Sequence, residues 1–107
     1  MRGRLPRSPT ELFFGKVATG SSKALPITLT NPETVALSIT SIAVKGLNAS
    51  EFGEIDNCVG TLGAGNSCTI TVTFTPAAVG HQYGKIKIFD AARRSPQVVP
   101  AQGWGTK

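Results

Sequence analysis

From Cys68 to Thr75 the chain alternates without a fault, with Cys68, Ile70, Val72 and Phe74 on one side and Thr69, Thr71, Thr73 and Thr75 on the other. A repeat of two is the side-chain period of a β-strand, so this is a half-buried strand whose apolar face needs a second layer over it. A glycine-rich turn leads into the strand, and Cys58 and Cys68, the two cysteines of the chain, bracket that turn. Pro76 stops the pairing. The threonine face reads either as the solvent side of an antiparallel strand or as a flat polar surface for carbohydrate or protein.

The remaining segments supply partners for this strand. Glu11 to Val17 reads as a first strand with Phe14 and Val17 in the core, and Gly15 breaks its alternation as a bulge does. Ala24 to Asn31 alternates Leu25, Ile27 and Leu29, with Pro26 marking an edge or a strand start, and Asn31-Pro32-Glu33-Thr34 closes it as a turn. Between Ala36 and Lys45 the apolar phase slips at Thr40-Ser41, which predicts a bulge or a strand passing from one sheet to the other. Gly46 to Asn57 reads as a long connection from which Phe52 dips into the core. Its acids Glu51, Glu54 and Asp56 read as a solvated loop, because they lack the full ligand set of an EF-hand. Ala77 to Gln82 reads as a turn carrying His81. Gly84 to Asp90 follows with Ile86 and Ile88 inward and Lys85 and Lys87 outward, lysines that would discourage edge-to-edge pairing if this strand lay at an edge. Arg93-Arg94 sits at a hairpin tip, and Gln97 to Trp104 places Val99 and Ala101 on the core. No stretch combines helical caps with a 3.6-residue period, so the sequence predicts an all-β, antiparallel β-sandwich of about seven strands.

Charge narrows the partners. The formal net charge is +5, but Arg2, Arg4 and Arg7 lie in a Pro-containing N-terminal segment without apolar periodicity. Without those three the chain holds eight Lys and Arg against six acids, a near-neutral +2. The arginines therefore read as a solvated tail and not as a nucleic-acid arm. A chain of 107 residues is one domain. Its expected division is a flexible segment over residues 1–10, one domain over 11–105 and a short tail at 106–107. No window is apolar enough to span a membrane as a helix, and Met1 to Thr10 lacks the apolar centre of a signal peptide. An export signal would have been removed or would belong to a longer parent protein.

Candidate chemistry is sparse. The cysteine spacing is not that of a CxxC redox pair, and one histidine is too few for a four-ligand zinc site. Cys58 and Cys68 form either a structural disulfide, which would place the domain in an oxidising compartment, or two buried thiols. His81 has no Gly-x-Ser-x-Gly or similar arrangement beside it, and Gly63-Ala64-Gly65 lacks the Lys-Ser/Thr of a phosphate loop and enters a strand. Neither a catalytic, a cofactor nor a metal site is expected. Tyr83, Phe89 and Trp104 fall out of phase with Ile86, Ile88, Val99 and Ala101, so they are the candidate partner surface. Asn48-Ala49-Ser50 fits an N-glycosylation acceptor.

Phe14-Gly15-x-Val17, Gly20, Thr28-Leu29-Thr30-Asn31, Leu37-x-Ile39, Phe52, Cys58, Leu62-x-Ala64-Gly65-x-Ser67-Cys68-Thr69-Ile70, Phe74-x-Pro76, Gly80 and Gly103-x-Gly105 follow one another in this order. That combination resembles the bacterial choice-of-anchor D domain, which is similar to ASH-type domains and to the major-sperm-protein and PapD-like immunoglobulin sandwiches. The resemblance spans residues 11 to 105. It implies an immunoglobulin-like module of bacterial surface or secreted proteins, often repeated in tandem and without catalytic residues. Trp104 departs from the pattern, standing where a small polar residue is usual. The expected role is a structural or interaction module, of spacer or adhesion type, whose partners are neighbouring domains or another protein. The alternatives are a glycan- or peptide-binding module, or an intracellular ASH-type scaffold with a cytoplasmic location.

Overall fold

The computed structural model describes residues 7–8, 10–90 and 97–107. Among them the chain forms β1 (Arg7–Ser8), β2 (Leu12–Ala18), β3 (Lys23–Thr30), β4 (Leu37–Lys45), a short 3-10 turn (Ala49–Glu51), β5 (Phe52–Asp56), β6 (Gly60–Leu62), β7 (Ser67–Phe74), β8 (Gly80–Asp90) and β9 (Gln97–Thr106). These strands make two sheets, one of order β1-β3-β7-β5 and one of order β2-β9-β8-β4-β6. The all-β sandwich agrees with the sequence pattern.

Strand β7 lies inside its sheet, paired along its whole length with β3 and over five positions with β5. Its Ile70, Val72 and Phe74 are wholly buried, and they meet Ile86, Ile88 and Val99 of the opposite sheet in one core. Phe14 of β2 reaches across to Phe52 and Phe74, with ring centroids 5.8 and 5.5 Å away, and Phe52 stacks on Phe74 at 4.9 Å. Side chains of this kind contribute about 1.5–3 kcal/mol each when removed from water, so the three rings alone are a substantial part of the core.

Several expectations are corrected. The connection from Gly46 to Asn57 contains a strand, β5, and a three-residue strand, β6, follows before the glycine turn. The phase slip at Thr40-Ser41 is a bulge between Ile39 and Ser41, and β4 stays within one sheet. Strand β8 begins at Gly80, four residues before the expected start, because its hairpin with β9 pairs from Gly80↔Gly105 onward. It is also flanked by β9 and β4, so Lys85 and Lys87 do not protect an edge. The sandwich is not uniformly antiparallel, since β2 runs parallel to β9 with a shift at Gly15. Arg7 and Ser8 pair with Leu29 and Thr28, and Thr106 pairs with Ala18. The hairpin tip at Arg93-Arg94 lies outside the described residues.

Candidate functional site

Register brings the outward aromatics together. In β8 the odd positions face out, and the hairpin sets His81 opposite Trp104 and Tyr83 opposite Gln102. The His81 ring lies 4.5 Å from that of Trp104 and 5.1 Å from that of Tyr83. His81 Nε2 and Gln102 Oε1 are 2.7 Å apart, a hydrogen bond that holds the imidazole in this position. Tyr83 and Trp104 remain 49% and 43% exposed, too open for core packing to explain them.

Beside Tyr83 the surface folds into a cleft of about 280 Å³, lined by Gly46, Leu47, Tyr83, Gly84 and Lys85. Its wall is pinned, because the Asn48 N–H donates to Tyr83 O at 2.8 Å while the Tyr83 N–H donates to Asn48 Oδ1 at 2.9 Å. Gly46 allows the approach: it has φ +108°, and a Cβ there would stand 2.8 Å from Gly84 Cα. The amide oxygen of the Asn48-Ala49-Ser50 acceptor is thus committed to a backbone contact.

Of the three expected surface residues, Tyr83 and Trp104 each lie against His81, and Phe89 stands apart from them. Phe89 is half-buried opposite Ser41, six positions along β8 from Tyr83 and roughly 20 Å away at the rise of a strand. His81, read from the sequence as an exposed turn residue, is the missing third member. The signal was the spacing His81-x-Tyr83, legible only once β8 is known to start at Gly80.

The second candidate site is the cysteine pair. Cys58 and Cys68 are bonded, with Cα atoms 5.3 Å apart, and both are buried. The bridge stands where the chain leaves β5 of one sheet, visits β6 of the other and returns to β7. Asp56 Oδ1 accepts hydrogen bonds from the N–H groups of Cys58 and Val59 at 2.8 and 3.2 Å, closing the turn ahead of the bridge. Burial, its hydrogen bond to Asp56 and the charge of that neighbour push the Glu54 carboxyl up to about 7. For Asp56 burial acts upward, but the hydrogen bonds from Glu54, Cys58 and Val59 outweigh it and hold the group below its usual value. Glu51 Oε1 accepts from the Ala77 N–H at 2.9 Å. The three acids are therefore built into β5 and its turn, and they do not form a solvated loop. Among the described residues, no group of three or more His, Cys, Asp and Glu is placed to hold a metal ion, and no helix is long and apolar enough to cross a membrane.

The fold recurs widely. The seventh PapD-like (ASH) domain of human CEP192 superposes with a TM-score of 0.75 at 15% identity, covering 99% of this chain and 87% of that one. The E. coli chaperone DraB gives 0.68 at 10% identity, over 94% of this chain and 54% of that one. The secreted serine protease VesC of Vibrio cholerae gives 0.68 at 18% identity over 87% of this chain, which spans only 21% of the protease. At these identities the likeness is one of fold. Among curated protein sequences none matches the chain. The family model of Cep192 domain 4 matches residues 4–106, nearly the whole sandwich, and the chain belongs to that family.

Proposed function

We propose that the chain is a non-enzymatic structural or interaction module, of spacer or adhesion type, within an exported bacterial protein. Residues 11–105 form its body, and its partners are neighbouring domains or another protein. The observation that carries this reading is the Cys58–Cys68 bridge. A sandwich of this size has a core sufficient to fold, so a buried disulfide at the β5–β6–β7 crossing adds stability that persists only in an oxidising compartment. The fold is shared with chaperone and ASH domains, and His81 is held in place by the Gln102 amide and the rings of Tyr83 and Trp104.

Thiol counting by mass on protein taken from its native cells, with thermal melting in the presence and absence of reductant, tests the reading. A loop closed over a separation of 10 residues is worth about 3 kcal/mol in the chain-entropy account. Reduction then lowers the midpoint by about 10 °C or more. Two free thiols with an unchanged midpoint overturn it. That result would favour the second reading, an intracellular scaffold domain, which the likeness to the human CEP192 domain supports.

A further inference from the structure

We propose that the Tyr83–His81–Trp104 row, with the cleft beside Tyr83, is a binding site for an anionic polysaccharide, a glycan chain bearing carboxylate or sulfate groups. The proposal rests on the interaction-module reading and names a ligand class for it.

The first argument is the shape of the ring cluster. The imidazole of His81 lies between the indole and the phenol, so it fills the space that separates them. A nucleobase cannot insert there, as it does on separated stacking platforms. A sugar ring can lie across the outer surface instead, placing its C–H face on the rings and its hydroxyls against polar edges. Those edges are present, since Gln102 is held at the centre of the row and the Tyr83 ring is half exposed. The adjoining cleft of about 280 Å³ is near the small end of ligand-site volumes and suits one sugar unit. Its Gly46 wall and both hydrogen bonds to Asn48 are in place before any ligand arrives.

The second argument is charge. Lys16 of β2 is the pairing neighbour of Trp104 on β9, and Lys85 follows Tyr83 on the same face with Lys45 opposite it. Among the described residues, the outward positions of β2, β4, β8 and β9 carry these lysines and Lys87 and no acid, while Glu11, just ahead of β2, lines a small cleft together with Tyr83 and Gln102 and sets one negative charge against the four lysines. Glu51, Glu54 and Asp56 belong instead to β5 and its turn, on the other sheet's edge. A near-neutral body thus presents one basic face with aromatic rings between its lysines, and that arrangement is complementary to a chain of acidic sugars.

Trp104 is the single tryptophan, so its emission reports on the site directly. Titrations of the intact chain with oligogalacturonate and with heparin fragments, read by fluorescence and calorimetry, are compared with neutral dextran, oligothymidylate and polyglutamate. At least one of the acidic glycans is expected to bind and shift the Trp104 emission, with the three controls weaker by about tenfold or more. Tyr83→Ala and Lys85→Glu each weaken that binding by about tenfold, and Phe89→Ala leaves it unchanged. Lys85 is exposed, so its reversal tests the site even where the Tyr83 variant folds poorly. Failure of both glycans to bind overturns the proposal. So does equal binding of oligothymidylate or polyglutamate, which would reduce the face to a charged surface, or indifference to both variants. A domain that ignores the glycans but keeps its disulfide in native cells refutes this site alone. Free thiols there refute the export reading alone.

Discussion

Asn31 shows what one polar side chain can organise inside a sandwich. It is wholly buried, and its Nδ2 donates to Val35 O and Leu62 O at 2.9 Å and more weakly to Gly63 O at 3.3 Å. Its Oδ1 accepts from the Glu33 N–H at 3.0 Å, and its backbone exchanges hydrogen bonds with Asn66 and Gly65. One residue at the end of β3 thereby fixes both the turn after it and the glycine turn that feeds β7. The sequence marks the position only as a turn asparagine, because its partners Leu62 and Gly63 lie 31 and 32 residues away and no local pattern encodes them. Replacement by alanine removes the side chain but leaves Leu62 O and its neighbours buried without donors. Asn31→Ala is expected to lower unfolding free energy by about 2–3 kcal/mol, read as a fall in urea midpoint at constant slope.

At the scale of elements, what was legible depended on how far a strand's reason for existing lies from its own sequence. Strand β7 announces itself because its alternation is complete and both neighbours cover it. The bulges at Gly15 and Thr40-Ser41 were legible too, since each shifts the phase of an apolar repeat. Strand β5 was not, for its inward positions are Phe52, Glu54 and Asp56, and two acids facing the core side break any apolar pattern. β6 is three residues long and exists only by pairing with β4. The same limit hid the ring cluster: His81 joins Tyr83 and Trp104 through hairpin register, which no single segment contains. Packing between the sheets explains the closing Gly103-x-Gly105 as well. A Cβ on Gly103 would stand 2.6 Å from Phe74 Cε2 and 3.1 Å from Phe14 Cβ. Those rings are fully buried and packed on each other, so they have no room to yield. Gly103→Ala is expected to cost about 1–3 kcal/mol by overpacking β9 against β7, and a thermal melt measures it.

For the molecule as a whole, the Glu54–Asp56 pair links stability to pH. Glu54 Oε1 is enclosed without a hydrogen-bond partner among the described residues, and the group ionises near 7 in the fold against 4.5 in the open chain. Between these values the folded protein holds a proton that the unfolded chain has released, so stability falls as pH rises from about 4.5 to about 7 and is level above that. Asp56 works in the opposite sense: its depressed ionisation contributes stability that is lost as pH drops through the acid range below 3.8. The pair's own contribution is therefore greatest between about 3.8 and 4.5, the ordinary values of the two groups. The full Glu54 shift would correspond to about 3 kcal/mol, but the carboxyl is partly open to water and screening reduces this to about 1 kcal/mol. Because the pair sits beside the bridge that ties β5 to β7, its ionisation is felt by the cooperative unit and not by a fraying end. Glu54→Gln keeps the neutral shape and can still donate to Asp56. It is expected to abolish the fall in urea midpoint between pH 4.5 and 7 and to leave the acid limb intact. A variant whose midpoint still falls across that interval would assign the slope to other groups.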